Sequence, residues 1–268
     1  MKVTELHRYP VKSLGGQSVS ALKPEPRGFQ DDRRWMFADA SGRFISQRSN
    51  AQLAKFSAEV TGDVLTFRNI ATGQVVGEVA GARQGRKKSK VVVWDDTFDA
   101  TEIASVQELR DLTRQLGILD ARLFYMAPEN DRPVDPNYAT PEEQVSFADG
   151  FPYLITTTAS LEDLTTKLGT RDLAQNRFRP NIVVETDEPW TEDNWTNLQI
   201  GQHNFRTPKP CGRCIMITHE PGTGERDLRV LSTLASYRKV GNKILFGMNA
   251  CWEGGAGDLQ VGDSVVSK

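Results

Sequence analysis

The stretch FSAEVTGDVLTFRNIATGQVVGEV (residues 56–79) decides the fold class, because it divides into short strand-like segments joined by turns. Gly-Asp at 62–63 and Thr-Gly at 72–73 are typical turn residues, and the segments between them have ordinary strand lengths. The stretches RWMFADASGRFISQ (34–47) and KSKVVVWDDTFDATEI (88–103) repeat the pattern. The sequence therefore predicts a β-rich first part of the chain.

Helices with one apolar face are predicted after this part. SVQELRDLTRQLG (105–117) starts with a capping box, Ser105 and Glu108, and ends in a glycine suited to a helix C-terminus. SLEDLTTKLG (160–169) has the same design, with Ser160 as the predicted N-cap. A third short helix is predicted from Leu231.

The rest of the second half reads as strands: RPNIVVET (179–186), NLQIGQHNFRT (197–207), CIMITHE (214–220) and LQVGDSVVSK (259–268). Residues 128–144 form a connection rich in Pro, Asn and Asp, and a loop of this length is either functional or mobile. Many short strands with polar turns favour closed or half-closed barrels. We predict a mainly-β fold with a few helices. Residues 1–100 are its N-terminal β domain and residues 101–268 its β-barrel domain with helical insertions.

The composition excludes several broad classes of function. The chain has 268 residues, with 33 Lys and Arg against 35 Asp and Glu, so it lacks the basic excess of a general nucleic-acid or membrane-surface protein. No apolar run is long enough to span a bilayer, and the first residues lack the apolar stretch of a secretory signal. Three cysteines favour a reducing compartment over a disulfide framework. We therefore expect a cytoplasmic protein without nucleic-acid or membrane partners.

Two of the three cysteines, Cys211 and Cys214, form a Cys-x-x-Cys pair. Structural zinc needs four ligands, and the spacings of Cys251, His203 and His219 match no zinc finger. A thioredoxin-like redox centre belongs at a helix N-terminus, whereas CIMITHE reads as a strand. One thiolate could instead bind a soft, redox-active metal, with Arg213 serving an anionic cofactor. Both cysteines could also be ordinary small buried residues.

Basic residues recur at the ends of predicted strands. Lys12 and Ser13 precede a Gly-Gly turn, an arrangement that can cradle an anion. The other members of this set are Arg33, Arg34, Arg48, Arg177, Arg179 and Asn181. The planar fork of arginine binds two phosphate oxygens at once, so convergence of these residues would fit a dianionic ligand.

Ten motifs occur in a fixed order from Tyr9 to Val265: RYPVKS, DRRWM, ISQR, FADGFPYLI, NRFRPNIVVE, KPCGRC, PGTGE, LSTLASYR, FGMN and VGDSV. In this ordered set the chain resembles the MOSC family (molybdenum cofactor sulfurase C-terminal domain). It is most similar to the branch of the mitochondrial amidoxime-reducing component and its bacterial relatives. The resemblance implies a MOSC β-barrel with a smaller N-terminal β domain packed on it, around a pterin-based molybdenum cofactor.

The resemblance also implies roles for individual residues. Cys214 is the expected molybdenum ligand, and Asp149 is expected to deliver protons near the metal. The residues expected to bind the cofactor are Lys12, Ser13, Arg33, Arg48, Arg179, Asn181 and Arg213. Cys211 is expected either to be structural or to contact the residues that bind the cofactor without binding it. Gly212 departs from the serine that the family often has at this position.

The chemistry implied is reduction of an N–OH group to N–H with two electrons and two protons, releasing water. Bacterial relatives often carry a fused C-terminal ferredoxin domain, but this sequence ends after the last predicted strand. Three cysteines are too few for an iron–sulfur cluster that needs four, and no G-x-G-x-x-G follows a strand. We therefore expect a separate electron donor of ferredoxin or flavoprotein type. Recombinant protein could have an empty cofactor site, or hold phosphate or sulfate there.

Two alternatives from other classes stay open. The protein could carry sulfur or molybdenum cofactor, with a persulfide on Cys214. It could also be a binding module whose basic cluster holds another phosphorylated ligand. Stoichiometric molybdenum would favour the enzyme, and a trapped persulfide without metal the carrier. The five tryptophans are expected in the core or at domain contacts rather than at the substrate.

Overall fold

The structure is a computed structural model that describes residues 1–140 and 142–268. Pro141, inside the connection predicted at 128–144, lies outside the described residues. The mainly-β class predicted from the sequence is confirmed, with strands in both halves of the chain and α-helices only after residue 105. Among the helices described, none combines the length and the apolar character that crossing a membrane requires.

The elements follow one another along the chain in two groups. The strands of the first group are β1 (Lys2–Arg8), β2 (Gln17–Val19), β3 (Ala21–Leu22), β4 (Pro24–Glu25), β5 (Gly28–Phe29), β6 (Trp35–Ala38), β7 (Phe56–Thr61), β8 (Val64–Asn69), β9 (Val75–Ala80), β10 (Lys87–Val93), β11 (Asp96–Ala104) and β12 (Arg122–Tyr125). Those of the second are β13 (Tyr153–Thr157), β14 (Ile182–Glu185), β15 (Asn197–Ile200), β16 (His203–Arg213), β17 (Lys239–Val240), β18 (Lys243–Gly255), β19 (Leu259–Gln260) and β20 (Val265–Ser267). The helices are α1 (Val106–Leu116), α2 (Thr158–Leu168) and α3 (Leu228–Arg238), with 3₁₀ helices at Ala51–Lys55, Gln175–Phe178, Thr191–Asn194 and Ile215–Thr218.

One large sheet runs in the order β2-β1-β14-β13-β18-β16-β15-β20, with β17 attached to β18. Its strand ladders leave it open, but backbone hydrogen bonds join the start of β1 to the segment before β20. Val3 N donates to Asp263 O and Val265 N donates to Met1 O, both at 2.9 Å. The sheet therefore curls round almost to closure, as expected for a half-closed barrel.

The interior of this barrel is apolar because alternate residues of its strands point inward. Leu6, Ile182, Ile200 and Phe205 are completely buried there, and the ring of Tyr153 meets Phe205 edge-on at 5.2 Å. Burial of each such side chain stabilises the fold by about 1.5–3 kcal/mol.

Two smaller sheets, β10-β11-β12-β6 and β7-β8-β9, form the N-terminal part. The turns predicted at 62–63 and 72–73 are confirmed, since Gly62 (φ 56°) and Gly73 (φ 70°) adopt the left-handed backbone that glycine tolerates best. Helix α1 covers the second sheet with Leu109 and Leu112, which join a buried cluster.

Strand pairing crosses the predicted domain boundary near residue 100 at several places, two of which exchange whole strands. Strand β1 belongs to the large sheet, where it pairs with β14, and β12 belongs to the N-terminal sheet, where it pairs with β6. The two domains therefore exchange chain segments. The boundary itself stays a prediction.

Helix α1 begins as predicted, with both hydrogen bonds of the Ser105–Glu108 capping box in place. The other two predicted starts are wrong. Helix α2 is capped by Thr157, whose hydroxyl accepts from Ser160 N, while the Ser160 hydroxyl donates to the buried Glu192 carboxylate. Helix α3 begins at Leu228, capped by Asp227, three residues before the predicted Leu231.

The predicted strand CIMITHE (214–220) is also wrong. Residues Ile215–Thr218 form a four-residue 3₁₀ helix with Cys214 at its N-cap position. Ile217 drives this outcome by packing into a cluster with α3 rather than alternating across a sheet. A thioredoxin-like centre is still disfavoured, because one short turn of helix provides little of the dipole that lowers a thiol pKa.

Candidate functional site

One cavity of about 160 Å³ lies between the N-terminal sheets and the large sheet. All nine residues predicted to form the site line it: Lys12, Ser13, Arg33, Arg48, Asp149, Arg179, Asn181, Arg213 and Cys214. They come from segments far apart in sequence, so their convergence is a property of the fold. The roles assigned to them individually stay predictions.

The cysteine pair lies at the end of β16, which pairs antiparallel with β18 although α3 lies between the two strands in the sequence. The register of this strand pair shifts at Arg206–Lys209 and again at Pro210–Gly212, and such bulges change the direction of side chains at sites. Both Cys211 and Cys214 are free, half-buried and at the cavity wall. Arg213 Nη1 donates to Cys211 Sγ at 3.1 Å, which leaves the Cys214 sulfur as the one without a protein donor among the described residues.

A cysteine-rich zinc site is not present in the part of the chain that the structure describes, since no three His, Cys, Asp or Glu side chains cluster there. The third cysteine, Cys251, is buried on β18, and burial raises its pKa to about 12. It is therefore a protonated core residue, away from the cavity.

Lys12 is a buried cation held by the acid opposite it. Its Nζ donates to Phe147 O at 2.7 Å and to Asp149 Oδ1 at 2.6 Å. Desolvation lowers the Lys12 pKa below its ordinary value, although the Asp149 charge acts in the opposite direction. A lysine with a lowered pKa gives up its proton more readily than an exposed one.

Asp149 is ionised at neutral pH. Desolvation raises its pKa, but the Lys12 charge, the hydrogen bonds from Lys12 and Trp94, and the Arg33 charge outweigh this and hold the pKa well below its usual range. The Trp94 indole donates to Asp149 Oδ1 at 3.1 Å. Since the Asp149 side chain is 61% exposed at the cavity mouth, water moderates the size of the effect but not its direction.

Arg33, Asn181 and Arg179 brace the inner wall of the cavity. Arg33 donates to Asp32 (2.6 Å), to Asn181 Oδ1 (3.0 Å) and to the Arg179 carbonyl (3.0 Å). The ring of Tyr9 lies under both guanidinium groups, at 4.5 Å from Arg33 and 4.4 Å from Arg179. Burial and the Arg33 charge lower the pKa of Arg179 to about 10, so it stays cationic at neutral pH.

Arg48 and Arg213 are the cations available to a ligand. Among the described residues neither has a carboxylate partner: Arg48 stacks on Trp94 at 4.4 Å, and Arg213 Nη2 donates to Phe178 O at 2.7 Å. The Nε of Arg213 is buried without a hydrogen-bond partner. An anionic ligand would supply the missing acceptor. Arg34, also singled out in the sequence, faces elsewhere and donates to Met126 O.

Backbone strain is concentrated at this cavity. Seven non-glycine residues of the described chain have positive φ, and four of them line the cavity: Ser13 (72°), Arg33 (48°), Trp94 (57°) and Arg179 (57°). Each costs of order 1–2 kcal/mol, because the β-carbon approaches a carbonyl oxygen. Strain kept at several wall residues is typical of a functional site.

Sequence reasoning missed Trp94 and Asn249 as wall residues. Trp94, expected in the core or at a domain contact, stands at the turn between β10 and β11 and reaches Asp149 of the other domain. The FGMN motif contains Asn249, which on β18 pairs with Lys209 of β16, but the motif gave no reason to place it near the cysteines.

Comparison with known proteins identifies the family. The model described as MOSC domain matches residues 142–266, and the one described as MOSC N-terminal beta barrel domain matches residues 1–110. Mitochondrial amidoxime-reducing component 1 of Homo sapiens is 30% identical, over 98% of this chain and 82% of that protein. Mitochondrial amidoxime reducing component 2 of Bos taurus is 31% identical with the same coverage. The chain belongs to the MOSC family.

Longer proteins contain a region similar to this chain. Molybdenum cofactor sulfurase of Drosophila mojavensis is 28% identical over 92% of this chain, but the match covers only 31% of the sulfurase. The relatives are therefore of two kinds, amidoxime-reducing components and molybdenum cofactor sulfurases. The predicted family and mainly-β class are both confirmed.

Proposed function

We propose that this protein is a molybdenum-cofactor-dependent oxidoreductase that reduces N-hydroxylated compounds with electrons from a separate donor protein. One observation carries the proposal. The sulfur of Cys214 and the unpaired cations Arg48 and Arg213 line the same cavity, in a chain 30% identical to an amidoxime-reducing component over most of both proteins.

The residues present fit a pterin-based molybdenum cofactor. Cys214 offers a soft sulfur ligand, and its sulfur has no competing protein donor among the described residues. Arg48, Arg213 and Arg179 supply positive charge for an anionic organic group, and the orphaned Nε of Arg213 needs an acceptor. When bound, the cofactor would supply the redox chemistry by which an oxygen atom leaves nitrogen.

The protein's own residues would bind, orient and move protons. Arg213 and Arg48 would hold the anionic parts of the cofactor, and the Lys12–Asp149 pair would face the substrate at the cavity mouth. Because the lowered pKa keeps Asp149 ionised, it accepts a hydrogen bond from an N–OH group or from water. The proton it passes on must come from Lys12, whose pKa burial lowers, or from solvent. We therefore assign proton delivery to the pair rather than to Asp149 alone.

The electron donor would be a separate protein of ferredoxin or flavoprotein type. It would bind outside the cavity and pass electrons to the cofactor inside it. A cytoplasmic location fits this proposal, because a reducing compartment keeps all three cysteines free. The isolated chain should therefore turn over only with an artificial reductant.

The test compares wild type with Cys214→Ser and Cys211→Ser, all made in a host that synthesises the cofactor. Molybdenum content is measured, together with reduction of an amidoxime by a reduced viologen dye. We expect Cys214→Ser to lose both metal and activity, while Cys211→Ser, three residues earlier on β16, keeps most of both.

Three results would contradict the proposal. Molybdenum retained at wild-type level in Cys214→Ser would remove the assigned ligand. Wild-type protein without molybdenum, but with a persulfide trapped on Cys214, would support the sulfur or cofactor carrier instead. Robust turnover with NADH and substrate alone would refute the need for a separate donor.

A further inference from the structure

A second cavity, of about 350 Å³, lies beside the candidate site. It is lined by the β7–β8 hairpin, the turn at 15–16 and the loop around Pro221, and it shares only Arg177, Arg179 and Met216 with the first cavity. In the loop around Pro221, Gly222 N donates to Ala54 O at 2.9 Å, in the 3₁₀ helix that directly precedes β7. The second cavity is therefore a cleft between the two parts of the molecule, and the proposed function gives it no role.

The charge of this cavity favours an anion. Three arginines line it, Arg68, Arg177 and Arg179, and no Asp or Glu is among its lining residues. Arg68 pairs with Glu59 at 3.2 Å, and Arg177 pairs with Glu220. Arg179 has no carboxylate partner among the described residues and donates only to Leu14 O, at 2.6 Å. At least one positive charge therefore faces the cavity uncompensated.

A buried histidine contributes a fixed donor. Arg226 Nε donates to His219 Nε2 at 2.7 Å, so this nitrogen carries no proton and the ring proton lies on Nδ1. Burial, with the charges of Arg226 and Arg177, lowers the His219 pKa and keeps the ring neutral. His219 is 2% exposed, and its Nδ1 has no hydrogen-bond partner in the part of the chain that is described.

Two further buried groups at this cavity lack partners. They are the hydroxyl of Tyr9, which burial keeps protonated by raising its pKa, and Nε of Arg177. Unsatisfied buried donors each cost about 1–3 kcal/mol, so a ligand rich in acceptor oxygens would offset part of this cost. Phosphate offers such oxygens, and arginine forks fit it well.

The remaining walls suit the organic part of a ligand. Ile70, Ala54, Met216 and Pro221 give the cavity apolar surface, and Ser57 lies on its wall next to Gly15. We propose that this second cavity binds a small organic monophosphate, with its phosphate toward Arg179 and His219 and its organic part against Ile70 and Met216. This site shares Arg179 with the one proposed for the molybdenum cofactor, but the inference does not rest on that function.

The chain's three histidines provide the test, because His7 and His219 line this cavity and His203 does not. Protein labelled with ¹⁵N-histidine is titrated with inorganic phosphate, and in parallel with sodium chloride at matched ionic strength. We expect a saturable change in the His219 ring resonances with phosphate only, and none at His203. No change at His219, or equal changes at all three histidines, would overturn the proposal.

Two variants sharpen the test. Ser57→Glu places a carboxylate on the cavity wall and should weaken phosphate binding about tenfold or more through repulsion. Ser232→Glu adds the same charge on the exposed face of α3 and should leave binding unchanged. Equal binding by both variants would overturn the assignment. Phenyl phosphate should bind more tightly than inorganic phosphate. Equal affinity for the two would overturn the proposal that the cavity binds an organic group as well as phosphate.

Molybdenum content separates this site from the cofactor site. Ser57→Glu should keep the wild-type content, since Ser57 does not line the first cavity. A loss of metal as large as that in Cys214→Ser would make the second cavity part of the cofactor site and overturn the inference. If instead Cys214→Ser keeps its metal while phosphate still shifts His219, the proposed function fails and this inference stands.

Discussion

The two walls of the candidate site are built in different ways. The strand wall consists of residues 211–213 on β16 and Asn249 on β18, which pair over most of their length, together with Cys214, which directly follows β16. The turn wall consists of Lys12, Ser13, Arg33, Arg48 and Trp94 from connections between strands, and three of these five residues have left-handed backbone. Strand pairing thus positions the segment that leads into the proposed metal ligand, while turns place three of the cations and the donor to Asp149.

This difference indicates which wall is more sensitive to substitution. A pair of strands held by many backbone hydrogen bonds tolerates a changed side chain, since its shape does not depend on any single residue. A turn residue such as Lys12, by contrast, is held by its own side-chain contacts. Changes in the turn wall should therefore alter function more than equally small changes in the strand wall, apart from Cys214 itself.

The largest effect is expected from Lys12→Met. Without the ammonium, Asp149 loses its ion pair, its pKa rises, and the pair can no longer deliver a proton. We expect kcat/KM for N–OH reduction to fall about 100-fold. Lys90→Met is the control, because it removes an exposed lysine paired with Asp99 at 3.0 Å. Similar losses in both variants would show that the Lys12–Asp149 pair has no special role.

A smaller effect is expected from Trp94→Phe, which keeps a ring under Arg48 but removes the hydrogen bond to Asp149. The pKa of Asp149 lies below its ordinary value, so its ionised form stabilises the fold above the usual carboxyl pKa of about 4, and this is lost as pH falls through the lowered pKa. The variant raises that pKa, so acid unfolding and the acid limb of activity should both move to higher pH.

The matched control for this change is Trp252→Phe, which removes an indole donor to His203 that lies outside the cavity. Its acid limb of activity should stay where it is in wild type. An unchanged pH profile in Trp94→Phe would show that the indole does not position Asp149.

Ser13→Gly tests the strain directly, with Asp120→Gly as its partner outside the cavity. Both residues have positive φ, 72° and 61°, which glycine adopts without cost. Asp120→Gly should raise the free energy of unfolding by up to about 1 kcal/mol and leave molybdenum content unchanged. Ser13→Gly also loses the hydroxyl bond to Ile45 O, so its stability should change little while cofactor content falls. If Asp120→Gly also lowers the molybdenum content, backbone strain rather than the Ser13 side chain would control cofactor binding.

The smallest effect is expected from Gly212→Ser in the strand wall. The atoms nearest to a β-carbon at this position would be those of the Lys243 side chain, at 3.6–3.7 Å, which is ordinary contact distance, and the φ of Gly212 is not positive. Unfolding free energy should change by less than about 0.5 kcal/mol, and amidoxime reduction by less than a few-fold. A large loss in urea-unfolding midpoint would contradict the view that this wall tolerates substitution.

The sequence could predict the turn wall's cations because charged residues just before or after apolar strands are visible without a structure. It could not predict Trp94, whose role depends on a contact with Asp149, 55 residues later in the chain. CIMITHE was ambiguous because a short apolar run fits both a strand and one turn of helix, and the packing of Ile217 against α3 decided it. The starts of α2 and α3 were missed because neighbouring Thr157 and Asp227 compete with the predicted caps.

The Arg179 side chain lines both cavities. If each cavity is filled by an anion, the two occupants share its charge, and thermodynamic linkage then requires a reciprocal effect. Whatever factor phosphate contributes to cofactor retention, the cofactor must contribute to phosphate affinity. A single side chain could in this way make the loading of the protein sensitive to the supply of a phosphorylated metabolite.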